Sequence, residues 1–122
     1  MSLILNSKKN TLIVRVDGDF DLVTANEFRE KIDHSLEETV SQNLLLDLTK
    51  TNFIDSSGLG VILGRYRKVK ANQGEVIICG AKPAIVNIFE VSGITSLMPI
   101  CNTEEEAWEL LESKSVRGHE NG

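Results

Sequence analysis

Cysteine and histidine are scarce in this 122-residue chain, with two of each. Cys79 and Cys101 are too far apart for a Cys-x-x-Cys pair, and with only His34 and His119 beside them no convincing metal site can be assembled. Long apolar runs are missing too. Nothing approaches the roughly 20 residues needed to cross a bilayer, and the opening MSLILNSKKN has neither a basic leader nor a small-residue cleavage site. No signal peptide is therefore expected, and a soluble, reducing, cytoplasmic setting is. Positive charge is also short, 13 Lys and Arg against 18 Asp and Glu, for a net charge of -5. Nucleic acid and anionic lipid would be repelled by the average surface, so neither direct DNA binding nor a membrane is expected; a protein or small-molecule partner fits better.

What is present suits one compact domain, large enough to bury a core without disulfides or a structural metal. Leu3–Leu5 and the alternating Leu12–Val16, separated by the polar NSKKN, predict an antiparallel hairpin. Thr24 with Glu27 three residues later has capping-box spacing, and Phe28, Ile32 and Leu36 follow at helical intervals to about Glu38. Asn43–Leu48 is nearly all apolar, as in a central strand covered on both faces. After Ser57, the residues Leu59, Ile62, Leu63, Tyr66 and Val69 predict a second helix ending at Gly74. Glu75–Cys79 predicts a strand, Pro83 opens a helix stopped by Gly93, and Leu97–Ile100 predicts a weaker strand. Thr103 and Glu106 then offer a second capping box before Ala107, Leu110 and Leu111. The order ββαβαβαβα predicts an α/β domain, a mostly parallel mixed sheet with an N-terminal antiparallel hairpin and about four helices.

Chemistry in such a domain gathers where strands end and helices begin, and Asp55-Ser56-Ser57-Gly58 lies at one such junction. In its simplest role, Asp55 or Ser56 is an N-cap and Gly58 and Gly60 permit close backbone approach. A serine hydrolase is disfavoured: positions 54 and 55 are not the glycine of G-x-S-x-G, and neither His34, mid-helix, nor His119, near the terminus, makes a convenient base. Gly58, Gly60 and Gly64 miss the G-x-G-x-x-G spacing by one residue, and no phosphate-binding loop is present. A serine modified by another enzyme fits better. A phosphoryl group on Ser56 would be accommodated by the helix N-terminal amides and dipole, while its charge of about -1.5 to -2 beside Asp55 would repel a docked partner. Elsewhere, Cys79 is expected in the core, Trp108 partly buried, and Arg65, Arg67, Lys68 and Lys70 on a solvated helix face.

The stretch NFIDSSGLGVILGRYRKVKANQGEVIICGAKPAIVNIFEVSGI, with RVDGDFDLVTA before it, resembles the bacterial anti-sigma factor antagonists of the STAS group, the sporulation branch above all. The resemblance implies a STAS domain over 1–113 and leaves 114–122 as a flexible tail. It implies a nonenzymatic protein whose unphosphorylated form binds an anti-sigma factor that is also a serine kinase, freeing the sigma factor to activate transcription. Phosphorylation ends that binding, and a serine phosphatase restores it; ATP and divalent metal belong to those partners, not to this chain. The acceptor position falls on Ser56, with Ser57 its rival, and the implied docking surface comprises Asp21, Asp55, Ser56, Ser57, Gly58 and Leu59. Asp21 has a simpler role as organiser of its turn. Leu22-Val23 stands where the sporulation branch has a more polar pair, which leaves a sporulation or a stress-response partner open. The alternative is a sensory STAS module that binds a small ligand or nucleotide within a signalling complex.

Overall fold

The computed structural model describes the backbone of residues 2–121 and the side chains of residues 2–114. The hairpin consists of β1 (Ser2–Lys8) and β2 (Thr11–Asp17). Its strands run farther than expected into the polar NSKKN, because Lys9 and Asn10 alone, both at positive φ (50° and 61°), turn the chain. Two such residues match the twist of the flanking strands. There follow α1 (Ala25–Glu38), β3 (Asn43–Lys50), α2 (Ser56–Ala71), β4 (Val76–Cys79), α3 (Pro83–Ser92), β5 (Ile100–Cys101) and α4 (Glu104–Asn121). The expected tail over 114–122 falls, beyond Lys114, outside the described side chains, as does His119.

The five strands lie in the order β1-β2-β3-β4-β5, antiparallel in the first pair and parallel thereafter. Successive right-handed crossovers that advance in one direction place their helices on one face. There Phe28, Ile32 and Leu36 of α1, Val61, Ile62 and Val69 of α2, and Ile85 and Phe89 of α3 pack on Leu44, Leu46, Val76 and Ile78. Among the described residues the second face is covered by α4 alone, whose Ala107 and Leu111 meet Ile13, Leu45, Ile77, Cys79 and Cys101. Both faces of β3 are thus buried, which is why its sequence is apolar without alternation.

Four local expectations change. Thr24 sits at the start of α1 but makes no side-chain cap bond; its hydroxyl donates to Asp19 O (3.0 Å) and accepts from Asp21 N (3.1 Å). It folds the preceding loop instead of capping the helix. Leu97–Ile100 is not a strand over its length, because Ile94–Ser96 form a 3-10 turn and only Ile100–Cys101 pair with β4. Gly74 does not supply the left-handed residue that ends α2; Gln73 does, at φ 65°. Gly74 is needed for space, since a Cβ there would lie 1.9 Å from Gln42 O. Nor is the basic side of α2 simply solvated: Arg65 Nε lies 2.8 Å from Asp33 Oδ1, and Lys68 Nζ lies 3.6 Å from both Asp33 and Glu37, so α1 and α2 are joined by ion pairs.

Helix α1 ends in a Schellman motif, Ser41 N bonding Leu36 O (3.2 Å) and Val40 N bonding Glu37 O (3.3 Å). The left-handed position is held by Val40, at φ 52° and 81% exposed. A β-branched residue is strained there and gains little from burial. Val40→Gly is expected to stabilise the fold by about 0.5–1 kcal/mol, part of the relief being offset by the freedom glycine adds to the unfolded chain. Urea denaturation checks this, and a lower midpoint for the glycine variant would refute it. Cys79 and Cys101 are register partners in adjacent strands, both buried. Burial, then the nearby Asp47, Glu104 and Cys101, pushes the Cys79 thiol up to about 12; burial, then Glu106, also raises Cys101. Both are neutral and unreactive at pH 7. A thiol reagent is expected to modify them only at the rate of unfolding. Because folding raises the Cys79 pKa above its ordinary 9.0, its contribution is full below pH 9 and is lost as pH rises toward about 12. Wild type should therefore lose more stability over that range than Cys79→Ala.

Candidate functional site

The C-terminal ends of β2, β3 and β4 share one edge of the sheet, and the loops leaving β2 and β3 are tied together there. Gly18 N donates to Lys50 O (3.0 Å), Phe20 N to Phe53 O (2.9 Å) and Asp55 N to Phe20 O (3.3 Å). Phe20 and Ile54 form a parallel bridge beyond the regular strands. The Phe20 ring is fully buried and meets Phe28 edge-on, with centroids 5.3 Å apart. From the other loop, Thr51 Oγ1 donates to Val16 O (3.3 Å), and Lys82 Nζ donates to Thr49 O (2.7 Å) and Thr51 O (3.3 Å).

On this base α2 begins. The N-cap is Asp55, not Ser56, with extended backbone at φ -114° and ψ -173°. Its Oδ1 accepts from Ser57 N (2.9 Å) and Gly58 N (3.1 Å), while Oδ2 accepts from Leu22 N (3.1 Å) in the neighbouring loop. Leu59 N closes onto Asp55 O (3.0 Å). Of the four amides in the first turn, only Ser56 N has no acceptor among the described residues. The expectation that these amides would cradle a phosphoryl group is therefore corrected, because the Asp55 carboxylate and carbonyl already hold three of them. Gly58 explains how the helix fits: a Cβ there would lie 2.1 Å from Phe20 O and 2.9 Å from Ile54 Cγ1. No larger residue can occupy this crossing without shifting the Phe20 loop.

The six residues singled out in the sequence thus lie together but differ in their surroundings. Ser56 is exposed and Ser57 half-buried, and neither hydroxyl hydrogen-bonds to a described residue. Gly58 is buried, and Leu59 is half-buried against the core. Asp21 organises its turn, its Oδ1 accepting from Val23 N (3.0 Å) and Thr24 N (3.2 Å). Overlooked were the apolar side chains on the same pair of loops: Leu22 at 76%, Val23 at 79% and Phe53 at 51% exposure. The signal was legible as apolar residues in loops that carry no helix or strand periodicity. His34 is not a base for Ser56; it is on α1, 2.9 Å from Glu38.

A cavity of about 610 Å³ lies elsewhere, at the N-terminal edge of the sheet between Asn10, Gln42, Gln73 and Trp108. Its charged walls are already paired, Lys9 with Glu112 (3.5 Å) and Lys114 with Glu75 (3.7 Å). Trp108 is half-buried as expected, with Lys8 and Lys9 Nζ each 5.9 Å from its ring centroid. Among the described residues, no helix is long and apolar enough to cross a membrane.

Comparison with known proteins places this geometry. The STAS domain model matches residues 2–107. The anti-sigma F factor antagonist of Paenibacillus polymyxa is 33% identical over 112 residues, covering 92% of this chain and 96% of that one. Among solved structures, the unphosphorylated form of the anti-sigma factor antagonist SpoIIAA is 25% identical with a TM-score of 0.71, over 91% of this chain and 98% of that one. The phosphorylated form of the Bacillus cell fate determinant SpoIIAA is 28% identical with the same TM-score of 0.71, over 88% and 97%. With nearly its whole length matched, the chain belongs to the STAS domain family, among the anti-sigma factor antagonists.

Proposed function

We propose that this protein is an anti-sigma factor antagonist switched by phosphorylation at Ser56. The unmodified form binds an anti-sigma factor that is also a serine kinase and frees the sigma factor to activate transcription. A serine phosphatase returns the modified form to the binding state. ATP and divalent metal enter with these partner enzymes. The observation that carries the reading is the Ser56 hydroxyl itself, exposed and unbonded among the described residues at the first position of a helix whose next three amides are held by Asp55.

The chemistry follows from that placement. The kinase transfers the γ-phosphoryl group of ATP to Ser56 Oγ, the hydroxyl proton leaves, and ADP departs. The product carries about -1.5 to -2 charges at pH 7. No protein hydrogen bond to the hydroxyl has to break, so the fold tolerates the group. It gains the positive end of the α2 dipole, but it lacks the ring of amides that would neutralise it. The new charge faces solvent beside Asp55, on the edge where the exposed Leu22 is tied to that aspartate and a partner must exclude water. Desolvating a dianion without compensating cations costs far more than the apolar contacts return.

Incubation with the anti-sigma factor kinase of the same organism and ATP is expected to add one phosphate, mapped by peptide mass spectrometry to Ser56. Exclusive labelling of Ser57 would move the acceptor by one residue, and no labelling would refute the switch. Ser56→Ala is expected to bind the kinase within about threefold of wild type, whereas Ser56→Asp should bind at least about tenfold more weakly, a difference of roughly 1.4 kcal/mol. Calorimetry measures both. Equal affinities would rule out exclusion by charge.

A further inference from the structure

We propose that the groove between α1 and α2 is a second part of the partner contact and takes a carboxylate side chain of the anti-sigma factor between Arg29 and Arg65. This rests on the reading that the Ser56 edge docks that partner. The groove, about 300 Å³, opens beside Leu22 and Ser57 and runs past Asn26 and Gly60 to the two arginines. Leu22 at its mouth is 76% exposed. A Cβ on Gly60 would meet nothing within 4 Å, so the groove is open above this turn of α2.

Charge selects the occupant. The chain carries a net charge of -5, yet the two ionisable residues that line this groove are both arginines. Arg29 is exposed and spends one donor on Asn26 Oδ1 (3.1 Å). Arg65 is more enclosed, its side chain 12% exposed. Its Nε is 2.8 Å from Asp33 Oδ1, but the N–H is not aimed at that oxygen, and its buried Nη1 has no acceptor among the described residues. Burial lowers the Arg65 pKa, the Arg29 charge lowers it further, and Asp33 opposes both. The exposed Arg29 guanidinium, with donors unspent and the positive charge of the enclosed Arg65 beside it, is relieved by a carboxylate, whose two oxygens accept from a planar N–H fork. A free anion would satisfy the charge but leave Leu22 in water. A carboxylate on a protein surface covers both.

The test is calorimetric titration of the purified anti-sigma factor kinase with wild type, Arg29→Glu, Arg29→Ala and Gly60→Leu. Arg29 is used because its exposed side chain supports no core contact, and Gly60→Leu fills the groove without altering charge. Expected losses of affinity are about 100-fold for Arg29→Glu and about tenfold for each of the others, and salt should weaken wild type more steeply than Arg29→Ala. If Arg29→Glu and Gly60→Leu bind within about twofold of wild type while Ser56→Asp is weakened, the groove proposal fails and the Ser56 site stands. If Ser56→Asp binds normally and both groove variants are weakened, the groove stands and the Ser56 switch fails. A self-associated wild type that Arg29→Glu renders monomeric in sedimentation would make a second copy the occupant and overturn the proposal.

Discussion

The Phe20 peptide holds the edge that carries Ser56 together. Its N–H bonds Phe53 O, its carbonyl accepts from Asp55 N, its ring is buried against Phe28, and its oxygen lies where any side chain at position 58 would have to go. One residue thereby fixes the loop after β2 to the loop after β3 and sets how closely the first turn of α2 approaches both. Burial of such a ring contributes roughly 1.5–3 kcal/mol, comparable to its hydrogen bonds together. Ser56 stands on this junction. Its exposure is a consequence of what is packed beneath it.

Asp55 adds the second constraint. A carboxylate that holds Ser57 N, Gly58 N and Leu22 N leaves only Ser56 N without an acceptor among the described residues in the first turn of α2, and puts a negative group already in place. An empty helix N-terminus would attract a phosphoryl group and partly cancel it. Here the Asp55 carboxylate already holds two of those amides, so an added dianion would keep most of its effect on whatever approaches. The same aspartate fixes the backbone of Leu22, so the apolar surface that a partner would cover and the charge that would expel it are mechanically coupled.

Much of this was legible in the sequence, for identifiable reasons. Phe28, Ile32 and Leu36 declared α1 because one stripe of that helix faces the sheet, and Asn43–Leu48 declared β3 because helices cover both its faces. Thr24 misled because Ser/Thr-x-x-Glu spacing fixes only sequence distance, while the loop offered its hydroxyl nearer partners in Asp19 and Asp21. Gln73 and Val40 were invisible because left-handed residues other than glycine are held by the tertiary fold against their own preference. At the site, the cluster Asp55–Gly58 could be found from its junction, but the bond from Leu22 N to Asp55 spans 33 residues and has no local signature. The Arg65–Asp33 pair was hidden for the same reason, since neither helix reveals which side faces the other.

These long-range ties decide what kind of switch this domain can be. Asp55 and Phe20 bind two loops to one helix, Thr51 and Lys82 bind the end of β3 to its neighbours on both sides, and Arg65 and Lys68 join α2 to α1. To move the start of α2 would break several of these contacts at once, each worth on the order of 1 kcal/mol. A single exposed phosphate, stabilised by little more than the helix dipole, at about 0.3–1 kcal/mol, cannot drive that change. The proposed regulation at Ser56 would therefore work through the surface: the scaffold would stay fixed, and the energetic difference between the two forms would be expressed only when a partner tries to remove water from the modified edge.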